Sequence, residues 1–307
     1  GEKKIGSTLK GIGPAYTDKY KRTGLRVGEL EHNGFRSEYD SRKEAHMKMI
    51  AATGVDYKNF LFDGLAFDEY EKEWLKAAEK IKQFRIAATE IEINKSIAAG
   101  KRVLAEGAQG TLLDVDFGSY PFVTSSNTMT GGVCTGLGIA PGHVGKVFGI
   151  FKAYCTRVGN GPFPTELFDD MGEMIRKNGN EFGATTGRPR RTGWLDIPAL
   201  RYSVMLNGVT DLIMTKADVL TGIETIKVCD SYKCGDKLYD MPDFPAGCEP
   251  EIVTRNLKGW SADISKISDA GHFPEELTAY SHFVENAAGA HLTYISTGPD
   301  RDQIIKF

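Results

Sequence analysis

No run of about 18 apolar residues occurs in this sequence, which excludes a membrane-spanning helix of ordinary length and leaves no membrane partner to expect. No charged-then-apolar segment opens it, so the cytoplasm is the expected location. A basic excess is also missing: 38 Lys and Arg stand against 41 Asp and Glu, and a net charge of -3 gives no footprint for nucleic acid. Cysteine is scarce and odd in number, with Cys134, Cys155, Cys229, Cys234 and Cys248 in no C-x-x-C spacing. Free, mostly buried thiols in a reducing compartment are the expectation. The six histidines are dispersed and form no H-E-x-x-H, so no zinc site is legible. Neither a G-x-x-x-x-G-K-[ST] loop nor a G-x-S-x-G elbow is present. If nucleotides are used, the main phosphate loop is not in this stretch. The sequence opens Gly1-Glu2-Lys3-Lys4 without methionine, which reads as a truncated or processed chain.

What remains is an ordinary globular composition, 41% hydrophobic and 26% charged over 307 residues, long enough for one large domain or two smaller ones. Residues 6–13 mix glycine with small residues and lead into Pro14, which suits a close backbone loop. A mostly helical region is expected over about 14–100, ending in one long helix from about Phe67 to Ala99. Its apolar residues Tyr70, Trp74, Ala77, Ala78, Ile81 and Phe84 recur at three- and four-residue steps, with Gly100 as the stop. Residues 102–105 read as a short buried strand and 147–154 as another. Asp196 is a good N-cap, with Pro198 in the first turn, for a helix that Asn207-Gly208 ends. Strands over 211–215 and 291–296 bracket a helix opened by Pro274 and Glu275. Strands alternating with helices predict an α/β fold whose central sheet, in residues 101–307, is largely parallel and flanked by helices, with additional helical and small β subregions. Ligands gather at the carboxyl ends of such strands.

Four motifs sit there. Phe182-Gly183-Ala184-Thr185-Thr186-Gly187-Arg188-Pro189-Arg190-Arg191 places three arginine forks among glycines and hydroxyls, a set that grips carboxylates and phosphates. A solvated basic turn is the plainer alternative. Thr215-Lys216-Ala217-Asp218 follows an apolar strand; its carboxylate suits guanine's paired N–H donors, with the lysine stem over the base, and equally an N-cap. Ser296-Thr297-Gly298-Pro299-Asp300-Arg301 brings backbone donors into a tight turn, as a ligand loop or a plain one. Glu106-Gly107-Ala108-Gln109-Gly110-Thr111, with Thr124 to Thr128 on the same long loop, offers neutral hydrogen-bonding groups for a purine edge and a sugar phosphate.

Together GSTLKGIGPAY, GLRVGEL, EGAQGTLLDVDFGSYPFVTSSNT, TRVGNGPFPTEL, GATTGRPRRTGWLD, TKADVL and STGPDR, in order from Gly6 to Arg301, closely resemble the adenylosuccinate synthetase family. The resemblance implies a single domain with a P-loop-NTPase-like ligase fold and a GTP- and magnesium-dependent ligase that joins IMP to L-aspartate on the route to AMP. It implies that GTP first phosphorylates the 6-oxygen of IMP and that the aspartate amine then displaces the phosphate. By matching motif, IMP is expected at Thr8, Arg22, Gln109, Thr124 and Arg188, with Arg22 reaching the partner subunit's IMP in a homodimer. Aspartate is expected at Ala184, Thr185, Thr186, Gly187, Arg188 and Arg190, and GTP at Arg190, Lys216, Ala217, Asp218, Ser296, Thr297 and Gly298. Gln109 is expected to support catalysis beside the 6-oxygen. Pro189 departs from a further arginine common in that loop. The family's glycine-rich phosphate loop, with its catalytic Asp and magnesium ligands and the His that follows, has no counterpart here, so this stretch alone is expected not to turn over. Two rivals are a guanine-nucleotide switch, resting on residues 215–218, and a non-catalytic paralogue.

Overall fold

The computed structural model describes residues 6, 10–183, 187 and 189–307, which fall into two units. One is built from residues 10–104 with 137–139, the other mainly from residues 105–136 and 140–307.

In the first unit, helix α1 (Ile12–Lys21) begins inside the segment expected to be a loop. Gly11, at φ 77°, turns the chain into it, and Pro14 falls in the first turn, where its missing N–H leaves no bond unmade. Helices α2 (Phe35–Ala52) and α3 (Phe67–Ile81) pack through the stacked rings of Tyr39 and Trp74, 5.1 Å apart, over a small core of Leu30, Phe35 and Ala78. Asp68 and Glu69 open α3 and Lys80 closes it, each charge matched to its end of the helix dipole. The single helix expected over 67–99 is in fact two, because α4 (Thr89–Ala98) starts afresh with Glu90 and Glu92 in its first turn. Phe84, which would continue the apolar stripe of α3, is 69% exposed, and with nothing to bury that face propagation stops. Gly100, at φ 73°, follows α4 as expected.

In the second unit a short helix α5 (Gly131–Leu137) ends the long loop, and β1 (Phe148–Lys152) starts the sheet. There follow β2 (Cys155–Arg157), α6 (Asp170–Asn178), β3 (Arg191–Gly193), β4 (Leu195–Asp196), α7 (Ile197–Asn207) and β5 (Asp211–Thr215). Next come β6 (Thr225–Cys234), β7 (Lys237–Tyr239), β8 (Glu251–Lys258), α8 (Glu275–Ala288), β9 (His291–Ser296) and β10 (Ile304–Lys306). The main sheet runs β1-β5-β9-β10, parallel except for β10. Leu212 and Met214 from β5, Leu292 and Ile295 from β9, and Leu277, Tyr280 and Val284 from α8 fill one core, each large side chain contributing roughly 1.5–3 kcal/mol by burial. Residues 102–105 do not form the expected strand. Val103 and Leu104 are exposed, and a strand without a ladder partner among the described residues has nothing to hold it.

The second sheet, β4-β6-β7 with β8 on β6, was legible only as a small β subregion. A register shift between Cys229 and Ser231 brings Cys229 and Tyr232, three positions apart, into one small core with Tyr239, while Ile226 and Val228 join the main core. Here the free-thiol expectation is corrected: Cys234 and Cys248 form a disulfide, while Cys134, Cys155 and Cys229 are free. The chain leaving β7 returns Cys248 to within a Cα distance of 6.4 Å of Cys234, a proximity that residue spacing does not encode.

Asp196 caps α7 by accepting from the Ala199 N–H at 3.0 Å, and both its oxygens accept from the buried Tyr232 hydroxyl at 2.7 Å. Asp196→Ala removes the cap and strands that hydroxyl, so urea unfolding should show a loss of about 2 kcal/mol. Tyr232→Phe should cost clearly less, and equal losses in the two variants would contradict the double role.

Candidate active site

Because β1, β5 and β9 run parallel, their carboxyl ends emerge at one edge, with Lys152 opposite Thr215 and Ile295 opposite Met214. Two of the sequence motifs leave the sheet there. Lys216 turns the chain sharply, at φ 60° and ψ 34°, into a 3-10 turn over Ala217–Leu220. Ala217 is completely buried, and Asp218 is half-buried, burial pushing its carboxyl above the ordinary carboxylate range. After β9 the Ser296 hydroxyl donates to the Gly298 carbonyl at 2.8 Å, and the buried Thr297 donates its N–H to the Gln303 carbonyl at 2.9 Å. A Cβ at residue 298 would have to displace the Gln303 amide, which lies where it would stand.

The arginine loop enters the same edge. It is pinched by a bridge between Phe182 and Pro189 and by the Gly187 N–H on the Gly183 carbonyl at 2.7 Å. Ala184, Thr185, Thr186 and Arg188 lie outside the described residues, as does Thr8. Of the two described arginines, Arg191 is committed to structure. Its guanidinium is ion-paired with Glu166, donates to the Gly159 and Gly161 carbonyls and lies 5.4 Å from the Phe163 ring centroid. Arg190 is only partly used. Its Nη1 donates to Glu181 at 2.7 Å, while its buried Nε has no partner among the described residues.

Glu181 is the residue that sequence reading missed. Its side chain is fully buried and accepts from Lys152 Nζ at 2.7 Å, the Tyr154 hydroxyl at 2.6 Å and Arg190, with Lys216 Nζ 3.3 Å away. Burial pushes its carboxyl up, but the bonds from Lys152 and Tyr154 outweigh that and bring it to about 2. Burial lowers Lys152 below the ordinary lysine value and raises Tyr154. The one signal available was Lys152 itself, a lone cation at the end of an otherwise apolar strand, which needs an acid nearby.

Gln109 and Thr124 lie on the long loop that Asp114 organises. The fully buried Asp114 accepts from the N–H groups of Asp116, Phe117 and Thr128 at 2.7–3.1 Å. Burial raises its carboxyl, and these backbone donors more than reverse that, leaving it below the ordinary value. Arg157 ties the loop further, donating to the Ser119 hydroxyl and the Phe122 carbonyl. Gln109 is exposed with φ 64°, and Thr124 is half-buried. Arg22 belongs to the other unit, exposed at the end of α1 with φ 64°.

Acid should weaken the sheet at both ends, since Glu181 stands against the carboxyl ends of the strands and Asp211 at the amino end of β5. Glu181 and Asp211 both have carboxyls lowered to about 2, Asp211 by hydrogen bonds from Thr210 and Thr293 and by Lys146. A lowered carboxyl contributes stability that is complete above its unfolded value of about 4 and is lost as pH falls toward 2. Urea midpoints should therefore be flat near neutrality and fall steeply below about pH 4; a midpoint unchanged down to pH 2.5 would contradict the assignment.

The sequence profile of adenylosuccinate synthetase matches residues 1–305. The chain belongs to the adenylosuccinate synthetase family. Adenylosuccinate synthetase of Bacteroides thetaiotaomicron is 51% identical over 308 residues, covering 100% of this chain and 70% of that protein. That of Christiangramia forsetii is 51% identical over 306 residues, covering 99% and 71%. The solved structure of fully ligated adenylosuccinate synthetase from Plasmodium falciparum superposes with a TM-score of 0.91 at 36% identity, covering 100% of this chain and 71% of that one. Adenylosuccinate synthetases are GTP- and magnesium-dependent ligases of AMP biosynthesis, and this chain is a ligase of that kind. Its α/β fold with a mostly parallel sheet is theirs. No helix among the described residues is long and apolar enough to cross a membrane.

Proposed function

We propose that these residues bind IMP, L-aspartate and GTP for a ligation that passes through 6-phosphoryl-IMP. In that sequence the γ-phosphoryl of GTP moves to the 6-oxygen of IMP, releasing GDP, and the purine N1 proton is lost. The aspartate amine then bonds to C6, the C6–O bond breaks, phosphate leaves and the nitrogen gives up a proton. Such transfers depend on positioning and on offsetting charge spread over phosphoryl oxygens. The observation that carries the reading is the cluster around Glu181: Lys152, Arg190 and Lys216 converge on one carboxylate at the strand ends, with Arg190 Nε unpaired among the described residues.

In this reading Asp218 accepts from the guanine ring N–H and amine while the Lys216 stem covers the base. Ser296, Thr297 and Gly298 form the wall of that pocket, and Ala217 packs its turn from below. Arg190 faces the aspartate carboxylate and the GTP phosphates. Ala184, Thr185, Thr186 and Gly187 surround aspartate, and Arg188 bridges it to IMP. Gln109 orients the purine near its reacting oxygen, and Thr8 and Thr124 hold the IMP phosphate.

Magnesium, which is held by one or two carboxylates together with phosphate oxygens, we place on ligands outside these 307 residues, as the family resemblance implies, and no role given above runs through it. A homodimer in the cytoplasm, with Arg22 reaching the partner's IMP, completes the proposal. A monomer by analytical ultracentrifugation in the presence of IMP would remove that role of Arg22.

The experiment is phosphate release by the full-length gene product, expected only when IMP, aspartate and GTP are all supplied. GTP hydrolysis that needs neither IMP nor aspartate would identify a nucleotide switch. Binding of none of the three would identify a non-catalytic paralogue.

A further inference from the structure

Glu181 meets ligand-bearing segments from two directions. Oε2 accepts from the Arg190 fork at 2.7 Å, and its own backbone carbonyl accepts the Arg190 N–H at 2.9 Å, so both ends of Arg190 are tied to one residue. Oε1 faces the other way, toward Lys152 and Tyr154, with the Lys216 ammonium 3.3 Å away. That ammonium also donates to the carbonyl of Gly179, two residues upstream. Residues 179–181 thus hold the heads of two cations that the sequence separates by 26 positions. Lys216 leaves the sheet in a left-handed backbone conformation, and its stem runs from there to the Glu181 carboxylate. Glu181 itself has no exposed surface and cannot touch a ligand.

We propose that Glu181 is a positioning residue shared by two ligand subsites, fixing Lys216 against the base and Arg190 against the amino-acid carboxylate, so that guanine and aspartate binding depend on one buried side chain. The inference rests on the reading of Lys216 and Arg190 as nucleotide and aspartate contacts. It predicts a particular division of labour. IMP, whose contacts lie on the loop organised by Asp114, should be indifferent to Glu181. A carboxylate that only neutralised buried cations would, when changed, lower stability and kcat without separating the substrates.

The test uses Glu181→Gln and Glu181→Asp in the full-length gene product. The amide keeps the shape, but its NH2 must confront either Arg190 or the two lysines. The aspartate keeps the charge and is one methylene short of spanning both. For Glu181→Gln, KM for GTP and KM for aspartate should each rise about tenfold, the loss expected for one charge-assisted hydrogen bond apiece, with KM for IMP within about twofold. Glu181→Asp should show the same split at smaller size, and it carries the test alone if the amide variant does not fold. Three KM values that stay put, or that move together with kcat, would overturn the inference. A wild-type protein that is inactive with all three substrates sinks the proposed function instead, whereas an active wild type with a flat pattern sinks only the role of Glu181.

Discussion

Asp218→Asn is expected to raise KM for GTP about 100-fold while leaving KM for IMP and aspartate near their wild-type values. A carboxylate offers guanine two acceptors for its two N–H donors. An asparagine amide offers one acceptor and one NH2, and the NH2 meets a donor head-on. One charge-assisted hydrogen bond lost, at about 1.5 kcal/mol, and one guanine donor left unsatisfied against the new NH2, at about as much again, give the stated factor. The same substitution makes a second, opposite prediction. A purine triphosphate with a carbonyl at position 2, such as XTP, presents an acceptor to the new NH2 and should be used better by Asp218→Asn than by the wild type. Steady-state kinetics with GTP and XTP decide it: equal selectivity in the two proteins would remove Asp218 from the base pocket and leave it a structural residue inside the turn that follows β5, which Lys216 rather than Asp218 caps.

Arg190→Met should lower kcat/KM for aspartate about 1000-fold, the loss of a bidentate, charge-assisted grip on a carboxylate worth roughly 4 kcal/mol. Methionine retains the apolar bulk of the stem, so packing is largely kept. Glu181 keeps Lys152 and Lys216 as neutralising partners, so the folded protein survives, with a lower thermal midpoint. Arg191→Met offers the contrast. That guanidinium is spent on Glu166, Gly159 and Gly161, so its loss should show in stability before it shows in KM for aspartate. If Arg190→Met changes KM for aspartate less than threefold while Arg191→Met changes it more, the assignment within the loop is reversed.

Three arginines in four residues look alike in the sequence, and only the structure separates a structural one from one with a donor to spare. The main sheet was more legible. Strands β5 and β9 were read at their true limits because each is a short apolar run with Asn207-Gly208 or Gly289 just before it. Asp196 and Gly208 marked α7 just as clearly. What failed depended on partners distant in the chain. The break between α3 and α4 follows from a face with nothing to cover it, the missing strand over 102–105 from an absent ladder partner, and the disulfide from a return of the chain after β7. The ligand motifs stood out because glycine, threonine and arginine are unusual company. Glu181 did not, because an acidic residue preceding such a loop reads as surface until Lys152, Tyr154, Arg190 and Lys216 are seen to converge on it.

Gln109 and Lys216 share a property that neither motif announced: both are non-glycine residues with φ near 60°, on two different loops. Holding an ordinary side chain in that conformation costs about 1–2 kcal/mol per residue. Folding bears this cost once, before any substrate arrives. In the roles proposed for them, the purine edge and the base face then meet side chains already aimed, and binding need not freeze those two backbone torsions. Glycine at either position would relax the turn and raise the entropy lost on each encounter, which is a reason for a chain so rich in glycine to withhold it at these two places.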